Sequence, residues 1–122
     1  MRYTVSQRFF FDAAHTLKRD IEAEGSRRVH GHTYHAEVWL QGERDPDTGM
    51  VIDLGLLRRR LEEVRGKLDH HMLDDIAGLG RPTLENLCLF IAEAMGDLKP
   101  MLARVRVWRE ALGDACTLEL GP

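Results

Sequence analysis

The sequence predicts an α+β domain of order β-β-α-α-β-β, with a four-stranded antiparallel sheet and two helices on one of its faces. Three observations predict it. Apolar residues alternate with period two over residues 5–15 and 29–41. They recur at helical spacing over 54–68 and 84–98. Alternation then returns over 105–109 and 116–120, so the helices are grouped between two pairs of strands, as in α+β domains.

In the first strand Val5, Gln7, Phe9, Phe11, Ala13 and His15 share one face, and His15 ends it. A polar loop over 16–28 carries Lys18, Arg19, Arg27 and Arg28. The second strand returns antiparallel with His30, His32, Tyr34, Ala36, Val38 and Leu40 on one face. Tyr34 and Trp39 read as packing or interface residues, and a turn-rich connection over 42–49 contains Asp45-Pro46-Asp47. Asp53 is placed to cap the first helix, whose stripe is Leu54, Leu57, Leu61, Val64 and Leu68, with Arg58, Arg59, Glu62, Glu63 and Lys67 on the solvated side. The second helix starts after Pro82-Thr83, runs through Leu84, Leu87, Cys88, Ile91, Met95 and Leu98, and stops at Pro100. Gly113-Asp114 marks the turn between the last two strands. Four strands leave two edges that invite pairing, so self-association is expected.

A chain of 122 residues is read as one domain spanning 1–122. Its formal net charge of −3 gives no basic field for nucleic acid or an anionic membrane. The opening residues lack the apolar core of a secretory signal, and no stretch is long enough to span a bilayer. Cys88 and Cys116 have no metal-pair spacing and read as two buried thiols of a cytoplasmic protein.

The most informative residues are His30-Gly31-His32 taken with His15. The hairpin brings the start of the second strand beside the end of the first, so three imidazoles converge, with a glycine between two of them where a ligand or backbone can come close. Three histidines can hold zinc and leave a fourth position open for water or substrate. An isolated His-x-His on a strand is most often surface or interface polarity, and Asp69-His70 alone reads as a helix C-terminal cap with a histidine near the dipole.

Five segments in order give these residues company: Phe11-Asp12-Ala13-Ala14-His15, His30-Gly31-His32-Thr33-Tyr34, Thr48-Gly49-Met50-Val51-Ile52-Asp53, Leu68-Asp69-His70-His71-Met72-Leu73-Asp74-Asp75 and Pro82-Thr83-Leu84-Glu85-Asn86. With them the chain resembles the 6-pyruvoyltetrahydropterin synthase / 6-carboxytetrahydropterin synthase family over nearly its whole length. The resemblance implies a T-fold whose subunits pool their sheets into a barrel, commonly a hexamer, with active sites between subunits. It implies zinc on His15, His30 and His32, a catalytic pair at Asp69 and His70, and substrate contacts from Thr83 and Glu85. It implies a small-molecule pterin substrate, 7,8-dihydroneopterin triphosphate, and lyase chemistry. In the carboxy-forming branch the side chain is cut on the route to deazapurine nucleosides such as queuosine.

Two positions depart from the family pattern. Ser26 stands four residues before His30, where the family carries its catalytic cysteine, and a hydroxyl is a far weaker acid than a thiol. Either Ser26 is activated by His70, or a loop carboxylate, Glu24 or Glu22, takes the role of base, as glutamate does in one branch of the family. Near the end, the family's Val-x-Val-x-Glu grips the pterin ring through the glutamate. Strict register from Val105 and Val107 puts Arg109 there, with Glu110 one residue later. Either a β-bulge re-aims Glu110 into the site, or the anchor has changed sign. The alternatives to the carboxy-forming reaction are a retro-aldol variant that gives a 6-hydroxymethyl dihydropterin, and a paralogue that binds zinc and a pterin-like ligand without turnover.

Overall fold

Two long alternating segments pair as a hairpin, and the other elements are placed by it. The computed structural model describes residues 1–16 and 28–121. β1 (Tyr3–His15) and β2 (His30–Gly42) run antiparallel in one unbroken register, from Tyr3↔Gly42 through Phe11↔Tyr34 to His15↔His30. β3 (Leu102–Arg109) pairs with β2 and β4 (Asp114–Glu119) with β3, which gives the sheet order β1-β2-β3-β4. This is the expected four-stranded antiparallel sheet, and both helices cover its one apolar face.

α1 (Leu54–Leu68) lies over β1, and α2 (Leu84–Ala94) lies over β3 and β4. Leu57, Leu61, Val64 and Leu68 of α1 and Leu87, Cys88, Ile91 and Ala92 of α2 are buried with Phe11, Tyr34, Ala36, Val38, Leu40, Val105 and Val107 of the sheet. Each large aliphatic side chain taken fully out of water contributes about 1.5–3 kcal/mol, so this apolar layer fixes the helices to the sheet. Leu54 belongs to the same stripe by spacing, yet it is exposed in the first turn of α1. Asp53 caps α1 by accepting the Gly55 N–H at 2.8 Å, as its position predicts.

Two boundaries and the burial of one cysteine differ from the sequence expectation. The second helix ends at Ala94 rather than reaching Leu98, because Gly96 takes φ +59° and the chain continues as a 3₁₀ segment, Gly96–Met101, that contains Pro100. Met95 and Leu98 are still buried, so the apolar stripe is real although its last turn is not α-helical. Asp114, expected in the turn, opens β4 opposite Arg109, while Gly113 at φ +75° makes the turn itself. Cys88 is buried but Cys116 is only partly so, and both thiols are free.

Candidate functional site

The hairpin register decides where the three histidines meet. His15 and His30 are direct cross-strand partners, and His32 lies two residues further along β2 on the same face, opposite Ala13. Their ring centroids are 4.4 Å apart for His15 and His30 and 4.9 Å for each of the other two pairs. Each ring offers a nitrogen to a group of three atoms that all lie within 4.8 Å of one another.

Hydrogen bonding selects which nitrogens are offered. His30 Nδ1 lies 2.7 Å from the Arg28 carbonyl, and His15 Nδ1 lies 3.3 Å from the Pro82 carbonyl and 3.3 Å from the Tyr34 hydroxyl. A carbonyl only accepts, so both Nδ1 atoms carry the proton and both Nε2 atoms are bare. These two Nε2 atoms stand 2.9 Å apart, an arrangement of facing lone pairs that a cation stabilises. His32 Nε2 is buried with no hydrogen-bond partner among the described residues. Metal-bound histidines characteristically donate the second ring N–H to a carbonyl, as His15 and His30 do here. The donor set therefore fits zinc: three neutral imidazoles, one of them otherwise an orphaned buried acceptor. Neutrality is favoured as well. Burial, followed by the positive charge of Arg109, lowers His32 to about 4. Burial also lowers His15, opposed by its hydrogen bond to Pro82.

A second group of residues is brought to the same place by the end of α1. Asp69 caps the C-terminus of α1, its own N–H donating to the Arg65 carbonyl at 2.8 Å. His70 follows in the left-handed region at φ +58°, the only non-glycine residue with positive φ among those described. Such a conformation costs a non-glycine residue energy and persists only where its surroundings impose it. Here the outer edge of β1 imposes it. Asp12 N–H donates to Asp69 Oδ1 at 2.9 Å, His70 N–H to the Asp12 carbonyl at 2.7 Å, and Ala14 N–H to the His71 carbonyl at 3.1 Å. Met72 forms a bridge to Ala14 in the same docking.

The docked turn presents His70 Nδ1 2.8 Å from Asp69 Oδ2. The hydrogen bond from Asp12, then that from His70, holds the Asp69 carboxyl below the usual carboxylate range. An ionised Asp69 keeps the proton on Nδ1 and leaves His70 Nε2 free to accept one. His32 and His70 line one cleft of about 510 Å3, together with Asp12, Ala13, Ala14, Gly31, Thr33, His71 and Met72. A Cβ on Gly31 would meet only the Ala13 carbonyl, at an ordinary 3.6 Å. The glycine thus keeps cleft volume open and relieves no backbone clash.

The remaining expected site residues fall in different places. Ser26, Glu24 and Glu22 lie outside the described residues, as do Lys18, Arg19 and Arg27. Thr83 caps α2, its Oγ1 accepting the Asn86 N–H at 3.1 Å, and Glu85 is exposed in the first turn of the same helix. The β3–β4 register is unbroken to Arg109↔Asp114, so no bulge re-aims Glu110. The register shift in the sheet lies instead between Trp39 and Leu40. Glu110 is exposed and accepts the Trp108 Nε1–H at 2.9 Å, while Arg109 points into the protein with 13% of its side chain exposed.

Sequence reasoning missed three contributors. Tyr34, read as packing, contacts His15; burial raises its phenol to about 12, so it stays an O–H group. Asp74 accepts both the N–H and the hydroxyl of Thr16, at 2.9 and 2.6 Å, and so pins the strand end that carries His15. Asp114 pairs with Arg109 at 2.8 Å. The first two had a sequence signal, Tyr34 in the segment with His30 and His32 and Asp74 in the segment with Asp69 and His70.

The fold and site together define a class: a small α+β domain that sets a three-imidazole metal-binding arrangement beside a carboxylate–imidazole pair. The chain belongs to the 6-pyruvoyl tetrahydropterin synthase family, whose model matches residues 4–120. It is 36% identical over 95 residues to a 6-carboxy-5,6,7,8-tetrahydropterin synthase of Synechocystis, covering 73% of this chain and 71% of that protein. It is 35% identical over 113 residues to the dihydroneopterin monophosphate aldolase of Pyrococcus furiosus, covering 88% and 90% of the two chains. The solved 6-pyruvoyl tetrahydropterin synthase of Caenorhabditis elegans superposes with a TM-score of 0.84 at 26% identity, covering 99% and 97% of the chains. The sheet and its two helices are accordingly the T-fold, and the protein is an enzyme of a pterin synthase family.

Proposed function

We propose that the protein is a zinc-dependent pterin lyase of the 6-carboxytetrahydropterin synthase type, acting on 7,8-dihydroneopterin triphosphate as a cytoplasmic homohexamer. The observation that carries this reading is the shared cleft: His32, one of three convergent imidazoles, and His70, oriented by Asp69, line the same 510 Å3 space. His15, His30 and His32 would hold the ion through Nε2. Zinc bound there supplies Lewis-acid polarisation of the substrate's side-chain oxygens.

The chain's own residues do the rest. Asp69 fixes the His70 tautomer, and His70 Nε2 accepts and returns a proton across the cleft. Ser26, at the position of the family's cysteine, is the first base, with Glu24 or Glu22 of the same loop as the competing carboxylate. Thr83 and Glu85 at the start of α2 are assigned to the substrate, and Arg109 at the end of β3 to positioning beside it, whereas Glu110 is engaged by Trp108. Tyr34 and the Pro82 carbonyl keep His15 in its orientation.

A second reading is favoured by one observation. The chain lacks the cysteine and is as similar to an archaeal aldolase as to a carboxy-forming synthase. In that reading the protein cleaves the side chain by a retro-aldol step and leaves a 6-hydroxymethyl dihydropterin. Incubating zinc-loaded protein with dihydroneopterin triphosphate and monophosphate and identifying products by mass separates the two. Acetaldehyde with a 6-carboxy pterin supports the first reading, a 6-hydroxymethyl product supports the second, and unchanged substrate leaves a binding protein without turnover.

A further inference from the structure

Arg109 and Asp114 form an ion pair where β3 turns into β4. One step past the last β2–β3 pair, His35↔Trp108, the register sets Arg109 beside Tyr34, on the face that carries His32. The charges of both Arg109 and Asp114 act on the His32 ring. A guanidinium alone in this corner would call for an anionic ligand, but the guanidinium is not what the corner presents. Its Nη2 donates to Asp114 Oδ2 at 2.8 Å, its Nε is buried, and only 13% of the side chain is exposed. The side chain of Asp114 is 49% exposed, and its Oδ1 makes no hydrogen bond among the described residues. The accessible group is therefore a carboxylate oxygen, oriented and charge-balanced from beneath by an arginine.

We propose that Asp114 is a specificity-determining residue that accepts hydrogen bonds from an edge of adjacent amino and ring N–H donors, the 2-amino-4-oxo edge of a pterin, with Arg109 as its positioning residue. This rests on the pterin reading above and deepens it, because it says which side chain meets the ring. An acceptor-only carboxylate binds such an edge and is repelled by a ring with a carbonyl in place of the amino group.

The test is fluorescence titration of the zinc-loaded full chain with pterin and with lumazine, its 2-oxo counterpart. The wild type prefers pterin. Asp114→Asn weakens pterin about ten- to a hundredfold, the usual weight of a hydrogen bond to a charged group. The same variant binds lumazine at least as tightly as the wild type does, because the repulsion from the carboxylate is gone, so the preference collapses while zinc per chain stays the same. Asp114→Ser carries the same expectation should the asparagine variant not fold, and Arg109→Gln, which keeps the carboxylate, retains the preference at lower affinity. An undiminished preference for pterin in Asp114→Asn overturns the assignment and leaves the pterin reading standing. Loss of pterin binding in Arg109→Gln but not in Asp114→Asn overturns it too, by making the guanidinium the contact. A wild type that binds neither ring overturns both the assignment and the reading beneath it.

Discussion

His32 carries a buried Nε2 with no partner among the described residues, and it is the residue where electrostatics and metal binding meet most directly. In the metal-free protein burial and Arg109 lower it from 6.5 to about 4. Between those values the unfolded chain binds a proton that the folded chain does not, so stability rises with pH across the window and is lost as pH falls from 6.5 toward 4. Thermal melting of the metal-free wild type should therefore drop over that range more steeply than that of His32→Asn; parallel curves would remove His32 from the account. Ser26 gives the other residue-scale test. Ser26→Cys changes one atom and supplies a more acidic group, so turnover should rise, by an amount measured against the roughly hundred- to ten-thousandfold that a general base contributes. If Glu24 is the base, Ser26→Cys should change little and Glu24→Gln should abolish product. The histidines and the Asp69–His70 pair were legible in the sequence because strand alternation and adjacency place them. Asp114 was not, because a cross-strand ion pair exists only once the β3–β4 register is known.

At the scale of elements, the hairpin and both helices were legible because their periodicities are long and uninterrupted. The end of α2 was not, because the apolar stripe continues through Met95 and Leu98 after the backbone has left the α conformation at Gly96. A Cβ at Gly96 would sit 3.1 Å from Arg60 Nη1, which is itself bonded to the Met95 carbonyl and to Asp97 Oδ1. Gly96→Ala should destabilise the protein by about 1–2 kcal/mol through its left-handed backbone, read as a lower urea midpoint at unchanged slope. A neutral substitution would mean that the break in the helix is set elsewhere. The turn after α1 shows the same limit. Its docking on β1 involves backbone groups of Asp12 and Ala14 that no side-chain pattern announces, and this docking carries His70 to the cleft.

For the whole molecule, the sheet leaves two strand edges whose treatment differs. The far end of the outer edge of β1 is covered by the turn at Asp69–Met72 and by Arg65, whose Nε donates to the Phe10 carbonyl at 2.7 Å. From Tyr3 to Arg8 the edge has no partner strand among the described residues, and neither does the outer edge of β4. Uncovered edges of this kind invite pairing with another chain. Static light scattering at micromolar concentration should give the mass of an oligomer, with six chains expected; a monomer mass would contradict it.

We propose that His15, His30 and His32 together hold a zinc ion at the cleft that His70 shares. The most direct test is metal analysis of protein purified from zinc-supplemented culture, wild type beside His32→Ala, with folding of both checked by circular dichroism. One zinc per chain is expected in the wild type and a sharp loss in the variant, since two imidazoles cannot replace a three-ligand site. A folded His32→Ala variant that keeps one zinc per chain would contradict it.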